Sequence, residues 1–258
     1  MRAFVWHEDD SFLHRLNPLT KLALSVPVAI LVSTTQEPVT PLVIALLALL
    51  ATRVLGRVPW SSLLRPFGFA AVVGFGLFWT SALFYAGPFS PEVVALGLVR
   101  LSVSALVYGA AIAARLAAIL ATSMLFVLTT DPTKLVLALI QQARVSPRVG
   151  YSVFAAYRFV PLLAVEFDNI RAAHLIRGGA TDRGPLAAVR ELIGYAIPLL
   201  ATAVRKGERV ALAMDSRAFG ALPRRTYYRE TSLGWTDAWF GLGALLALGL
   251  AMLARFVV

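Results

Sequence analysis

Five stretches of this sequence are apolar enough to span, or nearly span, a lipid bilayer, and that pattern limits the fold more than any other feature. They run roughly over Leu22–Thr35, Pro41–Val54, Phe67–Tyr85, a longer tract within Val93–Leu128, and Trp239–Val257. A helix that crosses the hydrocarbon needs about 20 residues. The first two stretches are short by that measure. Either they borrow flanking residues around a turn marked by Pro38 and Pro41, or they form a re-entrant helical hairpin. Hydrophobic residues make up 59% of the chain, against about 45–50% in soluble domains. The mean hydropathy is +0.75. The expected class is an all-α integral membrane protein with about five transmembrane helices.

Charge separates the remaining possibilities. The net charge is +10, from 24 Lys and Arg against 14 Asp and Glu. In a soluble chain that excess would suggest nucleic acid. With this apolar content it marks cationic loops on one side of a membrane, so the bilayer, and no nucleic acid, is the expected partner. The loop from Arg53 to Pro66 carries Arg53, Arg57 and Arg65 and no acid, whereas the flanking loops carry Glu37 and Glu92. The positive-inside rule therefore puts the 53–66 loop and the N-terminus in the cytoplasm, with Arg255 on the unfavoured side. Residues 1–17 hold Glu8, Asp9 and Asp10 and no apolar core of a secretory signal, so insertion is expected to rely on the first span. The chain has no cysteine, which excludes a disulfide framework and Cys-based metal sites.

Between Asp131 and Gly234 the character changes. This stretch holds 15 Lys and Arg and 8 Asp and Glu, yet its apolar residues recur at helical spacing. Tyr151, Phe154, Phe159, Leu162, Leu163 and Phe167 line one face of a long helix, and Leu192, Ala196, Leu199, Ala203 and Ala211 line a second, reading from about Pro185 to Ala218. Gly178, Gly179, Asp182 and Gly184 punctuate the turn between them. A shorter helix fits between Asp131 and Ala143, with Asp131 as N-cap and Pro132 at the first helical position. The expected organisation is membrane helices over 1–130, three cytoplasmic helices over 131–233, and a last membrane helix over 234–258. Pro161 and Pro198 fall inside the two long helices, where each removes a backbone hydrogen bond and favours a bend.

The two long helices end alike. One closes on Ile176-Arg177-Gly178, the other on Ala211-Leu212-Ala213-Met214-Asp215-Ser216-Arg217-Ala218-Phe219-Gly220. An arginine at a helix C-terminus is favoured by the helix dipole by about 0.3–1 kcal/mol, so Arg177 and Arg217 can be read simply as capping charges. They can also be read as docking residues, because a guanidinium at the tip of a rigid helix can enter a groove and bond a carboxylate bidentately.

These paired triplets resemble the X-Arg-X signatures of the T component of energy-coupling factor transporters, the family that includes CbiQ. Leu13-His14-Arg15-Leu16-Asn17-Pro18-Leu19-Thr20-Lys21-Leu22 is similar to that family's opening before the first span. Arg158-Phe159-Val160-Pro161-Leu162-Leu163, with Glu166 and Ile170, resembles its first long coupling helix, and Ala211 to Gly220 resembles its second. Nearly the whole chain is covered. Family patterns often show Ala-Arg-Gly in both triplets, so Ile176, Ser216 and Ala218 depart from the pattern while both arginines keep it. The resemblance implies a multi-pass subunit of a prokaryotic plasma membrane, with its coupling helices in the cytoplasm. It implies docking of two ABC-type ATPase subunits through Ile176, Arg177, Gly178 and Ser216, Arg217, Ala218. Arg158, Pro161, Glu166, Ala211, Met214 and Gly220 would support the coupling helices. A separate substrate-binding membrane subunit for a vitamin or metal ion would complete the complex.

Several chemistries are expected to be missing. The sequence has no Gly-x-x-x-x-Gly-Lys-Ser/Thr loop, so ATP is expected on the partner ATPases and no cofactor in this chain, which is read as a non-enzyme. His7, His14 and His174 are widely spaced, so no metal site is expected. A permease subunit of an ABC importer is the main alternative. Ala172-Ala173, Gly179 and Ile197-Pro198 echo its docking loop faintly, but one loop would leave the second arginine unexplained. An intramembrane enzyme fits less well, because no span holds a histidine. Arg115 lies within the fourth span, where it either snorkels or contacts a lipid headgroup or the substrate subunit. Gly74, Gly76, Gly109, Ala110, Ala113, Ala114, Gly241 and Gly243 offer small-residue surfaces for helix packing.

Overall fold

A computed structural model describes residues 11–85, 93–96, 99–177, 185–221 and 226–253. Its helices are α1 (Phe12–Arg15), α2 (Pro18–Thr34), α3 (Val39–Val54), α4 (Trp60–Leu83), α5 (Val103–Thr129), α6 (Pro132–Gln141), α7 (Pro147–Ile176), α8 (Pro185–Asp215) and α9 (Trp235–Leu253). The all-α membrane class is therefore the one found. Four helices, α4, α5, α7 and α9, are long and apolar enough to cross a membrane, while α2, α3 and α6 are shorter apolar helices. The 17 residues of α2 reach about 25 Å at 1.5 Å per residue, short of a hydrocarbon core of about 30 Å. Helix α7 qualifies by composition although its pattern is amphipathic. Its acids Glu166 and Asp168 lie in the second half with Arg171, while Arg148 and Arg158 are the charges of the first half.

The fourth span requires a correction. The apolar tract from Val93 is not helical throughout. Val93–Leu96 (β1) and Val99–Ser102 (β2) pair antiparallel, with Val93 opposite Ser102, and α5 begins only at Val103. A short apolar run rich in valine fits a pleated strand as well as a helix, and periodicity alone does not separate the two. Arg100 consequently sits in β2 and not in a transmembrane helix.

The chain divides into two compact units at the Ala138–Leu139 and Glu230–Thr231 junctions. In the first, α5 is the central helix and packs on α2, α3 and α4. Its buried face is built from small residues: Ala105, Gly109, Ala111, Ala114, Ala118 and Ala121. At Gly109 the backbones of α4 and α5 come so close that an added Cβ would lie 2.6 Å from the carbonyl oxygen of Phe78. The expected small-residue seam is thus real on α5. Gly76, Gly241 and Gly243 instead face open space, with nothing within 4 Å of an added Cβ.

Arg115 neither snorkels nor reaches outward. Its Nε donates to the carbonyl oxygen of Thr35 at 2.9 Å, and Nη2 donates to the same oxygen. Thr35 follows the last residue of α2, so the guanidinium satisfies a carbonyl that the helix end leaves without an intrahelical partner.

A knot of buried polar groups closes the other end of α2. The Asn17 side chain caps α2 by accepting the Leu19 N–H at 2.9 Å. The Asn17 backbone N–H donates to Asp237 Oδ1 at 2.7 Å, and Asn17 Nδ2 donates to the Ser232 carbonyl at 3.3 Å. Asp237 Oδ2 accepts the Gly234 N–H at 2.9 Å, capping α9. Lys21, only 3% exposed, donates from Nζ to the Thr129 carbonyl at 2.8 Å and to Thr129 Oγ1 at 3.2 Å, where α5 ends. The start of α2, the end of α5 and the start of α9 are thereby tied at one level.

Replacing Gly109 by alanine should destabilise the protein by about 1–3 kcal/mol through overpacking, whereas Gly241→Ala should be neutral or slightly stabilising. Thermal unfolding of both variants in one detergent distinguishes a packing seam from glycine that is merely frequent in membrane helices.

Candidate functional site

The second unit contains the two helices whose ends carry the paired arginines. Helix α7 starts in the way its sequence dictates. Ser146 sits at the N-cap and Pro147 at the first helical position, where its missing N–H costs nothing. The helix runs through Pro161 and ends at Ile176, with Arg177 as C-cap, whose N–H bonds the Ala173 carbonyl at 3.2 Å. Arg177 is exposed, and Ile176 beside it is 87% exposed. Gly178 lies outside the described residues.

Helix α8 runs through Pro198 to Asp215 and ends in a Schellman motif. The Ala218 N–H bonds the Asp215 carbonyl at 2.9 Å, and the Phe219 N–H bonds the Met214 carbonyl at 3.0 Å. That closure requires a left-handed residue, and Ala218 supplies it at φ 53°. Ser216, Arg217 and Ala218 are all exposed around this turn. Leu212, 69% exposed, is an apolar neighbour one turn back.

Contacts along the pair fix its direction. His174 packs edge-on to Tyr195 at 5.0 Å between ring centroids, and Phe167 does so at 5.7 Å. Lys206 Nζ lies 3.4 Å from Glu166 Oε2. Tyr151 meets Phe219 at 5.2 Å, with the rings nearly perpendicular. Positions rise on α7 as they fall on α8, so the helices are antiparallel. Arg217 is therefore level with about Val153, at the opposite end of α7 from Arg177. The intervening turns measure about 36 Å at 1.5 Å per residue.

The supporting residues divide into several small groups. Glu166 joins the pair through Lys206, in a half-exposed ion pair of the kind worth about 0–1 kcal/mol. Arg158 lies over the Phe154 ring, with its guanidinium carbon 5.6 Å from the centroid. The Met214 carbonyl accepts both the Arg217 and Phe219 N–H groups. Gly220, at φ 83°, passes so near Arg148 that an added Cβ would sit 3.1 Å from Nε. Arg148, Tyr151 and Tyr195 hold the tips but are not marked by any motif. Tyr195 donates its hydroxyl to Glu191, and that carboxylate holds the phenol above its usual range. Among the described residues, no group of three or more His, Asp or Glu side chains is placed to hold a metal ion.

With this geometry in place, three comparisons bear on the chain. The family model described as cobalt transport protein, CbiQ, matches residues 9–228. The energy-coupling factor transporter transmembrane protein EcfT of Streptococcus thermophilus is 29% identical over 251 residues, covering 94% of each chain. The protein of the same description from Heliobacterium modesticaldum is 31% identical over 242 residues, covering 88% of this chain and 87% of its own.

Glycine accepts φ near +55° without the Cβ penalty, which costs other residues about 1–2 kcal/mol. Ala218→Gly should therefore raise the stability of the α8 terminus, by about 1 kcal/mol and so about 2–4 °C in unfolding midpoint for a chain of this size. A lowered midpoint in a thermal scan would show that the turn is held otherwise.

Proposed function

This chain belongs to the CbiQ family of cobalt transport proteins, within the transmembrane components of energy-coupling factor transporters, and on that premise we propose that it couples two ATPase subunits to a substrate-binding membrane subunit through Arg177 and Arg217. It is a multi-pass membrane protein and a non-catalytic transporter component. ATP would be bound by the partner ATPases, and the cargo would be a vitamin or metal ion carried by the substrate-binding subunit. The charge of the 53–66 loop places the N-terminus and the coupling helices on the cytoplasmic side in this reading.

One observation carries the docking proposal: the two arginines are exposed at opposite ends of an antiparallel pair. A spacing of about 36 Å along the helix axis is too wide for one binding pocket and suits one partner surface per arginine. Each tip also carries an exposed aliphatic residue, Ile176 directly before Arg177 and Leu212 five residues before Arg217. Arginine beside apolar surface is a common composition for the energetic centre of an interface. The flanking triplet residues, Gly178 and Ser216 among them, would keep the approach narrow and free of bulk.

Capping is the rival role, since both arginines sit next to helix C-termini. The two roles predict different outcomes. As docking residues, Arg177→Ala or Arg217→Ala should each weaken ATPase binding by at least about thirtyfold, the equivalent of about 2 kcal/mol for a stranded interfacial charge. Expression and membrane insertion should stay intact, and the double variant should nearly abolish uptake. Arg→Lys keeps the charge but loses the bidentate fork, so it should dock poorly while capping normally. The measurement is recovery of the ATPase pair with each variant at matched expression. Wild-type recovery with all of them would leave the arginines as caps.

A further inference from the structure

The end of α8 that carries Arg217 is built from both helices of the pair. Backbone hydrogen bonds running from Met214 to Ala221 close one compact turn around Arg217. The start of α7 packs on that turn, where Tyr151 meets the Phe219 ring nearly perpendicular at 5.2 Å. Arg148, one turn earlier on α7, lays its guanidinium beside Gly220. A Cβ added to Gly220 would sit 3.1 Å from Arg148 Nε and 3.5 Å from Nη2, so the glycine leaves the room that the guanidinium occupies. Arg148 is exposed, and among the described residues no carboxylate lies within ion-pair distance of it. It also stands in the first turn of α7, where the helix dipole disfavours a cation. Its own helix therefore gives the charge no electrostatic support.

The charge pattern of the two tips shows what Arg148 adds. The seven residues ending at Arg177 contain Arg171 and Arg177 and no acid. The seven ending at Arg217 contain Asp215 instead of a second arginine. Asp215 is exposed two residues before Arg217, so the end of α8 carries no net charge by itself. Arg148 returns a positive charge to that tip from the neighbouring helix.

We propose that Arg148 steers an acidic surface of one ATPase subunit onto Arg217, which makes this a two-arginine tip contributed by both helices. The inference rests on the docking role of Arg217 and extends it to a residue outside the paired triplets. A charge at the solvent-exposed rim of an interface acts mainly on the association rate and its salt dependence, whereas a central charge pair acts on dissociation. Arg148 belongs to the first kind and Arg217 to the second.

The test immobilises the full chain in lipid nanodiscs and follows binding of the purified ATPase pair of its own transporter by biolayer interferometry. Arg148→Gln should slow association about threefold at low salt and leave dissociation at the wild-type rate. At about 1 M salt, where the Debye length is about 3 Å, the difference should vanish. Arg148→Lys keeps the charge and should associate like the wild type. Arg205 is exposed on α8 about 18 Å along the axis from Arg217, so Arg205→Gln removes the same charge away from the tip and should associate like the wild type. Arg217→Ala tests the underlying reading and should speed dissociation. Wild-type binding by Arg217→Ala ends the docking role of Arg217, and the steering role of Arg148 with it. Faster dissociation of Arg217→Ala together with Arg148→Gln associating like Arg205→Gln keeps the docking role and overturns the steering role alone. Slow association in both Arg148→Gln and Arg148→Lys, or a slowing that persists at about 1 M salt, assigns Arg148 to shaping the turn and also overturns the proposal.

Discussion

The membrane unit depends on making a buried lysine tolerable. An ammonium taken out of water costs several kcal/mol unless it is bonded. Lys21 meets that demand with the last carbonyl and hydroxyl of α5, two acceptors that a helix terminus offers in any case. Asn17 and Asp237 do the same for the first turns of α2 and α9. Three helix ends are satisfied by one set of contacts among residues far apart in sequence. Apolar packing between helices is weakly directional in lipid, where the surrounding chains are as oily as leucine. The polar knot supplies the missing specificity: it sets which ends meet and at what level. Arg115 repeats the device at the far end of α2, where it holds the Thr35 carbonyl. With both of its ends tied to α5, α2 cannot slide along it.

The second unit is organised differently. Its helices meet through edge-to-face aromatic contacts and a half-exposed ion pair, and a large share of their aliphatic side chains stays bare: Val149, Val160, Val165, Ile193, Ile197 and Leu200 are each more than 45% exposed. The aromatic contacts, Tyr151 with Phe219 near one tip and His174 with Tyr195 near the other, give the pair stiffness where the arginines are. Under the docking proposal, stiffness at the tips would matter more than stability in the middle.

Much of this was legible in the sequence. The apolar stretches located α2, α3 and α9 closely, but missed the first turns of α4 and ran into the strands before α5; the capping chemistry of Asp131-Pro132 marked the start of α6, where Asp131 Oδ1 accepts the Thr133 N–H at 2.8 Å. Helical spacing gave both long amphipathic helices and their arginine-bearing ends. What stayed hidden is physical in origin. Periodicity reports which face of a helix is buried, not which way its neighbour runs, so the antiparallel pairing of α7 and α8 was not visible. Asp237 looks like an ordinary acid in a first turn, because its partner Asn17 is 220 positions away. The valine-rich run at Val93 carries equal signals for strand and helix. Ala218 gives no hint of its left-handed conformation, since glycine is what usually announces one.

The antiparallel pairing of α7 and α8 has a mechanical side. A rod grasped at a single tip can pivot about that point in any direction. Grasped at both tips, it keeps just one rotational freedom, the roll about its own long axis. Rolling carries whatever projects from its flank through an arc and leaves the tips where they were. Displacing one grip relative to the other instead tilts the whole rod, and a shift of a few ångströms at an end about 36 Å from its counterpart becomes an angle of only several degrees.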